Sequence, residues 1–329
     1  MILKANEENI KKASEIIKKG GLVAFPTETV YGLGANALNK DAVIKIFEIK
    51  ERPLFDPLIV HIDDIKWLEK LTIEFSDIAK KLIEKFWPGP LTIVFRKSEI
   101  VPYITTGGLE TVAIRMPKNE IALKLIRYSN VPIAAPSANK FGYLSPTNAQ
   151  MVCEQFKDSI EIILDGGKTE FGIESTIVYI ENEEAHILRI GAIEIEEIEK
   201  VLNKNVKISQ KVKSPGQFKY HYSPITKLKT FKKLEEIKDE IKKYNKVVIL
   251  TAKKEDINFE DVIYDYFSES GDYREIAKNL FEKLYFYDKI KADIIFAQLV
   301  EEKGIGRAIV DRLKKAENRH YGYQEQWFN

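Results

Sequence analysis

Strand-like and helix-like segments alternate along this chain in two series, separated by an aperiodic stretch at residues 203–226. Such alternation argues sheets flanked by helices, because each apolar strand needs an amphipathic helix to cover it. In the first series, residues 7–19 predict a helix with Ile10, Ala13, Ile16 and Ile17 on one stripe, stopped by Gly20 and Gly21. Strands are predicted at 22–25, 57–62, 91–95, 111–115, 132–135, 160–164, 175–180 and 186–190. Helices are predicted at 40–50, 75–86, 119–128, 147–156 and 194–202; Asn39 caps the first of these, with Val43, Ile44 and Phe47 inward. The second series runs helix 232–244, strand 246–251, strand 262–266, helix 273–288, strand 292–296 and helix 305–317. That is the pattern of a small, mostly parallel, Rossmann-like sheet. The stretch between, with Ser214-Pro215-Gly216 and Ser223-Pro224, reads as an ordered or semi-ordered linker. The boundaries that follow are a first domain at 1–203, a linker at 204–226 and a second domain at 227–329.

Charge narrows the function. Lys plus Arg is 51 and Asp plus Glu is 50, a net charge of +1 without the basic surplus of a protein that coats nucleic acid. A hydrophobic fraction of 44% suits a packed core rather than a disordered chain. No apolar run approaches the roughly 18 residues a membrane helix needs, and the N-terminal segment is amphipathic with no signal-like apolar core. A soluble cytoplasmic protein with no membrane association is the expectation. The single cysteine, Cys153, excludes an internal disulfide, and His61, His186, His221 and His320 lie too far apart to suggest a zinc motif. No protein-held metal is expected. Only nine of the 51 basic residues are arginines, so each invites a search for a planar anion.

Four polar loops concentrate the chemistry. Pro26-Thr-Glu-Thr-Val-Tyr-Gly-Leu-Gly34 follows a strand and sets the Thr27 and Thr29 hydroxyls two apart, hence on one side of an extended chain. Its glycines permit close backbone approach to a ligand; the alternative is a plain hairpin. Lys50-Glu51-Arg52-Pro53 pairs a compact cation with a bidentate fork, a combination suited to phosphates, or else a cationic helix C-terminus meeting the macrodipole. Pro136-Ser-Ala-Asn139 follows an apolar strand, where open α/β sheets bind ligands, or is a turn closed by its own side chains. Gly172-Ile-Glu-Ser-Thr-Ile-Val178 brings a carboxylate and two hydroxyls to a strand start. Arg115 and Arg189 end apolar strands, positions usually paired with a carboxylate of the fold or of a ligand. No Gly-rich phosphate loop and no Ser/Cys–His motif is present, so covalent catalysis is not expected.

Taken in order, PTETVYGLG, KER-P with Pro57-Leu58, PGPLT at 88–92, VAIRMP, PSAN, DGG, GIESTIV and LRIGAI resemble the YrdC/Sua5 family of threonylcarbamoyl-AMP synthases. The stretch Ser214-Pro-Gly-Gln-Phe-Lys-Tyr-His-Tyr-Ser-Pro224 resembles the linker of the long Sua5-type members, and the last hundred residues resemble their C-terminal domain. The resemblance implies an α/β fold: a YrdC-like twisted, open, mixed sheet with helices, followed by a smaller Rossmann-like domain. It implies a nucleotidyltransferase that joins L-threonine, bicarbonate or CO₂, and ATP into threonylcarbamoyl-AMP and pyrophosphate for the t6A modification of tRNA. Mg²⁺ would arrive on the ATP phosphates. The implied partners are the downstream threonylcarbamoyl-transfer machinery and, weakly, tRNA itself.

The same resemblance assigns residues. Lys50 and Arg52 match the family's KxR and would hold triphosphate and bicarbonate-derived oxygens, as the catalytic pair. Ser137 and Asn139 match its SxN and would hold phosphate. Asp56, Thr111, Ser145, Arg189 and Tyr222 fall at its other ATP positions, and Tyr222 would make the linker a lid. Thr29, His61, Arg115, Ala135 and Ser175 fall at threonine positions, with Arg115 clamping the carboxylate. The chain departs from the family pattern in having Asp56 for Asn, Phe141 for Ser and Gln217 for Met. Three other readings compete: an RNA-binding module, a relative that uses carbamoyl phosphate, and an interaction domain behind a degenerate front half. Even charge, a chain too short for the extra regions, and intact KxR and SxN motifs weigh against them in turn.

Overall fold

The structure, a computed structural model, describes residues 1–209 and 221–321. The chain divides into two compact units, Met1–Phe141 with Ser145–Gln217, and Gly142–Leu144 with Phe218–Asn329.

Among the described residues the first unit is built on eleven strands: β1 (Ile2–Lys4), β2 (Val23–Pro26), β3 (Tyr31–Asn36), β4 (Ile59–His61), β5 (Leu91–Arg96), β6 (Thr111–Arg115), β7 (Ile133–Ala134), β8 (Ile162–Asp165), β9 (Thr176–Glu181), β10 (Glu184–Arg189) and β11 (Lys207–Ile208). They form one mixed sheet in the order β1-β8-β2-β3-β7-β4-β6-β5-β9-β10-β11. Its helices are α1 (Glu7–Lys18), α2 (Lys40–Lys50), α3 (Trp67–Leu71), α4 (Asp77–Phe86), α5 (Glu120–Ser129), α6 (Ala149–Phe156) and α7 (Ile195–Leu202). α1 and α5 cover one part of the sheet through Ile10, Ala13, Ile17, Ala122, Leu125 and Ile126. A larger core gathers α2, α3, α4, α6 and α7. α1 ends where Gly20 takes φ +77°, letting the Gly20 and Gly21 amides return to Ile17 and Ile16 carbonyls.

Several elements differ from the sequence pattern. The PTETVYGLG stretch contains a whole strand, β3, antiparallel to β2. Its Gly34 serves packing and not ligand approach, since a Cβ there would lie 2.7 Å from the Phe25 ring and 2.8 Å from Ile133. On α2, Ile44 faces solvent and Ile46 takes its inward place, because a 3.6-residue period from Val43 returns at 46, 47 and 50. Cys153 packs partly buried against the large core.

The second unit holds β12 (Lys227–Phe231), β13 (Val247–Lys253), β14 (Val262–Ser268) and β15 (Ile294–Gln298), all parallel, in the order β12-β15-β13-β14. Its helices are α8 (Lys238–Ile241), α9 (Tyr273–Lys289) and α10 (Gly306–Tyr321). The predicted helix at 232–244 is instead a 3₁₀ turn, Leu234–Ile237, running into the short α8; only Ile237 and Ile241 are buried there. β12 carries no strand signal in the sequence, because Lys227, Lys229 and Thr230 leave Leu228 and Phe231 as its only two apolar residues. Among the described residues, no helix is long and apolar enough to cross a membrane. Residues 214–220 of the linker motif lie outside the described residues. Within the second unit, Tyr222 is buried at φ 60°, against the Phe281 ring at 5.5 Å and under the Arg312 guanidinium at 5.0 Å.

Candidate active site

β4 and β6 run parallel, and their register sets His61 opposite Arg115, each the last residue of its strand. Both side chains are buried. Burial pushes the His61 imidazole down to about 3, and the Arg115 charge acts the same way, so the ring is neutral near pH 7. Its Nδ1 lies 3.2 Å from the Ile59 carbonyl, and its ring meets Phe25 edge-on. β7 runs antiparallel beside β4, and the Ala135 amide just beyond it donates to the Ile59 carbonyl.

The turn between β2 and β3 reaches the same point. Thr27 closes it: its hydroxyl bonds the Val30 carbonyl at 2.7 Å and accepts from the Thr29 amide. Thr29 Oγ1 is thereby aimed at Arg115 and accepts from Nη1 at 2.9 Å. Arg115 Nε donates to the Gly89 carbonyl, and Nη2 lies 2.6 Å from Glu28 Oε1. Glu28 is a site residue that the motif reading passed over. It is the lone charged residue between Leu22 and Asn39, which is the signal that could have singled it out.

Lys50 ties two predicted motifs together. The helix α2 ends with Glu51 in the left-handed region, and the buried Lys50 Nζ donates to the Ser137 carbonyl at 2.6 Å and to the Asn139 carbonyl. Capping of α2 falls instead to Lys140, which donates to the Ile49 carbonyl at 2.9 Å and pairs with Glu51. The KxR and SxN segments thus form one structure. Burial, with Arg52 close by, holds the Lys50 ammonium well below the usual lysine range, opposed by Asp56. Arg52 lies 2.8 Å from the Asp56 carboxylate and donates to the Asp56 and Pro57 carbonyls. Burial pushes the Asp56 carboxyl up, against the pull of Arg52, Lys50 and Arg189. Asp56 therefore sits among three cations, where a carboxylate offsets mutual repulsion.

The GIESTIV segment supplies a third side. Ser145 donates to Glu174 at 2.5 Å, and Ser175 shares a hydrogen bond with Thr92 at 2.8 Å. Arg189 donates to Ser175 twice, to its carbonyl and its hydroxyl, at 3.0 Å each. Gly191 permits this: a Cβ there would lie 2.4–2.5 Å from the backbone of Glu174 and Ser175. Gly191→Ala is accordingly expected to cost about 1–3 kcal/mol, the scale of overpacking against fixed backbone, read as a lower urea midpoint with unchanged slope.

Thr111 lies apart from this cluster within the first unit. Thr111 opens β6, four residues and about 13 Å along the strand from Arg115. It lines an open hollow of about 560 Å³ with Phe75, Phe95, Arg96 and Tyr179. Tyr222 belongs to the second unit. Among the described residues, no group of three or more His, Cys, Asp or Glu could hold a metal ion.

Buried cations and hydroxyls gathered where strands of a mixed sheet end are the equipment of an α/β enzyme that handles anionic substrates. Residues 15–191 match the Sua5/YciO/YrdC family model, described as telomere recombination, and residues 193–317 match the model described as threonylcarbamoyl-AMP synthase, C-terminal domain. The chain belongs to the two-domain, Sua5-type threonylcarbamoyl-AMP synthases, nucleotidyltransferases that serve t6A modification of tRNA. It is 46% identical to the threonylcarbamoyl-AMP synthase of Pyrococcus abyssi over 94% of each chain. Identity to the Bacillus subtilis synthase is 41%, over 95% of this chain and 94% of that one. The crystal structure of P. abyssi Sua5 complexed with L-threonine superposes with a TM-score of 0.89 at 42% identity, covering 97% of this chain and 98% of that one.

Proposed function

We propose that this chain condenses L-threonine, bicarbonate or CO₂, and MgATP into threonylcarbamoyl-AMP and pyrophosphate at the cluster around Arg115 and Lys50. The observation that carries this reading is the buried Arg115 guanidinium, bonded to the Thr29 hydroxyl beside a neutral His61. A planar fork among hydroxyls suits a hydroxy amino acid, the carboxylate on Arg115 and the side-chain hydroxyl on Thr29, Ser175 or His61, with the Ala135 backbone as a further contact. The relative crystallised with L-threonine supports the same substrate here.

The chemistry asks for water exclusion and fixed positive charge. The threonine amine combines with bicarbonate to give a carbamate and water. A carbamate oxygen then attacks the α-phosphorus, and the bond to pyrophosphate breaks. The carbamate is unstable in water, so a buried site preserves it. Negative charge grows on the phosphoryl oxygens and the leaving group, and preorganised cations stabilise it without reorganising. Lys50 has three N–H donors and gives two to the Ser137 and Asn139 carbonyls, so the third can meet a ligand oxygen. Arg52 and Arg189 complete the cationic wall, and Asp56 orients Arg52. Ser137, Asn139 and Ser145 hold phosphate oxygens, and Thr111 and Tyr222 are further nucleotide contacts. Magnesium comes with the nucleotide, carried by phosphate oxygens and water. In this reading residues 204–226 link the catalytic part, 1–203, to the domain at 227–329, and the enzyme works in the cytoplasm, passing its labile product to the downstream transferase with weak tRNA contact.

Pyrophosphate release is expected only when threonine, bicarbonate and ATP are all present. A coupled phosphate assay omitting each in turn tests it, and equal release without threonine would mean a simple ATPase.

A further inference from the structure

Arg115 is buried against a carboxylate to which no described residue donates a hydrogen bond. Glu28 Oε1 approaches Arg115 Nη2 to 2.6 Å, with side-chain exposures of 3% and 4%. The approach lies off the hydrogen-bonding line. Neither Glu28 oxygen accepts a hydrogen bond from a described residue, and Nη2 donates none. The other guanidinium nitrogens are engaged, Nη1 with Thr29 and Nε with Gly89. A buried carboxylate with both oxygens unsatisfied costs several kcal/mol relative to a well-packed neutral side chain. Fixing the turn does not require it, because Thr27 closes that turn with its own hydroxyl. The pair therefore has open acceptors on one partner and an open donor on the other, side by side. A ligand that satisfies both must carry an anion and a cation a few ångströms apart, as the α-carboxylate and α-ammonium of a zwitterionic amino acid do.

We infer that Glu28 is the acceptor for the α-ammonium group of the amino-acid substrate and the base that takes its proton when the amine is carbamoylated. This rests on the reading that Arg115 holds the substrate carboxylate. The ammonium donates to Glu28 and passes it one proton, leaving a neutral amine. The nitrogen lone pair then forms the N–C bond to bicarbonate, and water departs with the hydroxyl and a second amine proton. One carbamate, one water and one protonated Glu28 result from ammonium, bicarbonate and carboxylate, with charge and atoms balanced. The carboxyl returns its proton to solvent after turnover.

Titration calorimetry with the full chain separates this role from that of a structural counter-ion. L-Threonine is compared with 3-hydroxybutanoate, the same molecule without the amine. The wild type is expected to bind threonine at least about thirtyfold tighter, the scale of one charge-assisted hydrogen bond in a buried site. Glu28→Gln should bring the two ligands within about threefold, chiefly by weakening threonine, with ATP affinity unchanged. Its turnover should also climb with pH towards the amine's own ionisation, where the wild-type profile is flatter, because solvent must then remove the proton. Equal affinities in the wild type, or a Glu28→Gln variant that weakens both ligands alike or neither, would overturn the inference. Glu28→Asp keeps the charge and draws the carboxylate back by one methylene; it should fall between the two, and full wild-type preference there would count against direct contact. If Arg115→Lys leaves threonine affinity intact, the Arg115 reading itself fails. If Arg115→Lys weakens threonine and Glu28→Gln does not, only the Glu28 inference fails.

Discussion

Lys50→Ala is expected to lower kcat by about a hundred- to a thousandfold, the scale of removing one preorganised group that stabilises developing charge. The side chain is fully buried, so its ammonium is not a surface ornament that salt could replace. Its two bonds to the Ser137 and Asn139 carbonyls make it the strut between the end of α2 and the PSAN segment. Truncation therefore removes a cation and unties two carbonyls at once. Lys50→Met separates lost volume from loss of the ammonium, because it fills the same space with neither charge nor donors; a loss nearly as large with methionine assigns the effect to the ammonium. The depressed ammonium pKa adds a pH signature. Folding binds fewer protons to Lys50 than the unfolded chain does, so this group's burial penalty is full at low pH and relaxes as pH rises towards the ordinary lysine value. Nucleotide binding runs the opposite way. Phosphate favours the charged ammonium, so ATP affinity should fall as pH rises through the lowered pKa. ATP titrations across that range check it, and a flat profile in the wild type would remove Lys50 from the phosphate site.

The sequence made the cationic loops legible and left their wiring hidden. Periodicity located most helices and the apolar strands, since α1, α4 and α7 are strongly amphipathic and β5 carries the apolar run Ile93-Val-Phe95. It failed where a strand owes its place to pairing alone. β1 is three residues at the sheet edge, held by its register with β8. β3 reads as a loop because Gly32 and Gly34 interrupt it, yet those glycines are what let Phe25, Ile133 and Ala135 pack so closely. The site behaved the same way. Arginines closing apolar strands predict an anionic neighbour, and Arg115 has one, but alternation could not say that it is Glu28, which lies 87 residues earlier in the chain. Nor could spacing reveal that Lys50 reaches the PSAN carbonyls while Lys140 caps the helix, because both links join segments about 90 residues apart. Long-range register, not local composition, decides such contacts.

Arg115→Lys is expected to raise the KM for threonine about a hundredfold while changing the KM for ATP by less than about threefold. Charge is conserved in this substitution, so a loss of that size must come from geometry. The guanidinium divides its donors among three directions: Nη1 to Thr29, Nε to the Gly89 carbonyl and Nη2 towards Glu28. Thr29 and Gly89 fix the plane of the fork, and the remaining edge is presented at a set angle to an incoming carboxylate. A lysine ammonium is a point charge that can swing to Glu28 and collapse onto it, closing the place the substrate carboxylate would take. Neighbouring His61 cannot substitute, because burial and the Arg115 charge keep its ring neutral, and removing the guanidinium does not relieve the burial. On the ATP side Lys50 bonds the Ser137 and Asn139 carbonyls and Arg52 holds Asp56 and the Pro57 carbonyl, whereas Arg115 bonds Thr29 and Gly89, so the substitution leaves those ATP-side contacts in place. Steady-state kinetics with each substrate varied in turn measures both constants. Equal increases in the two would mean that the variant disturbs the sheet, and an unchanged threonine KM would mean that Arg115 serves the fold through Glu28 and does not touch the substrate.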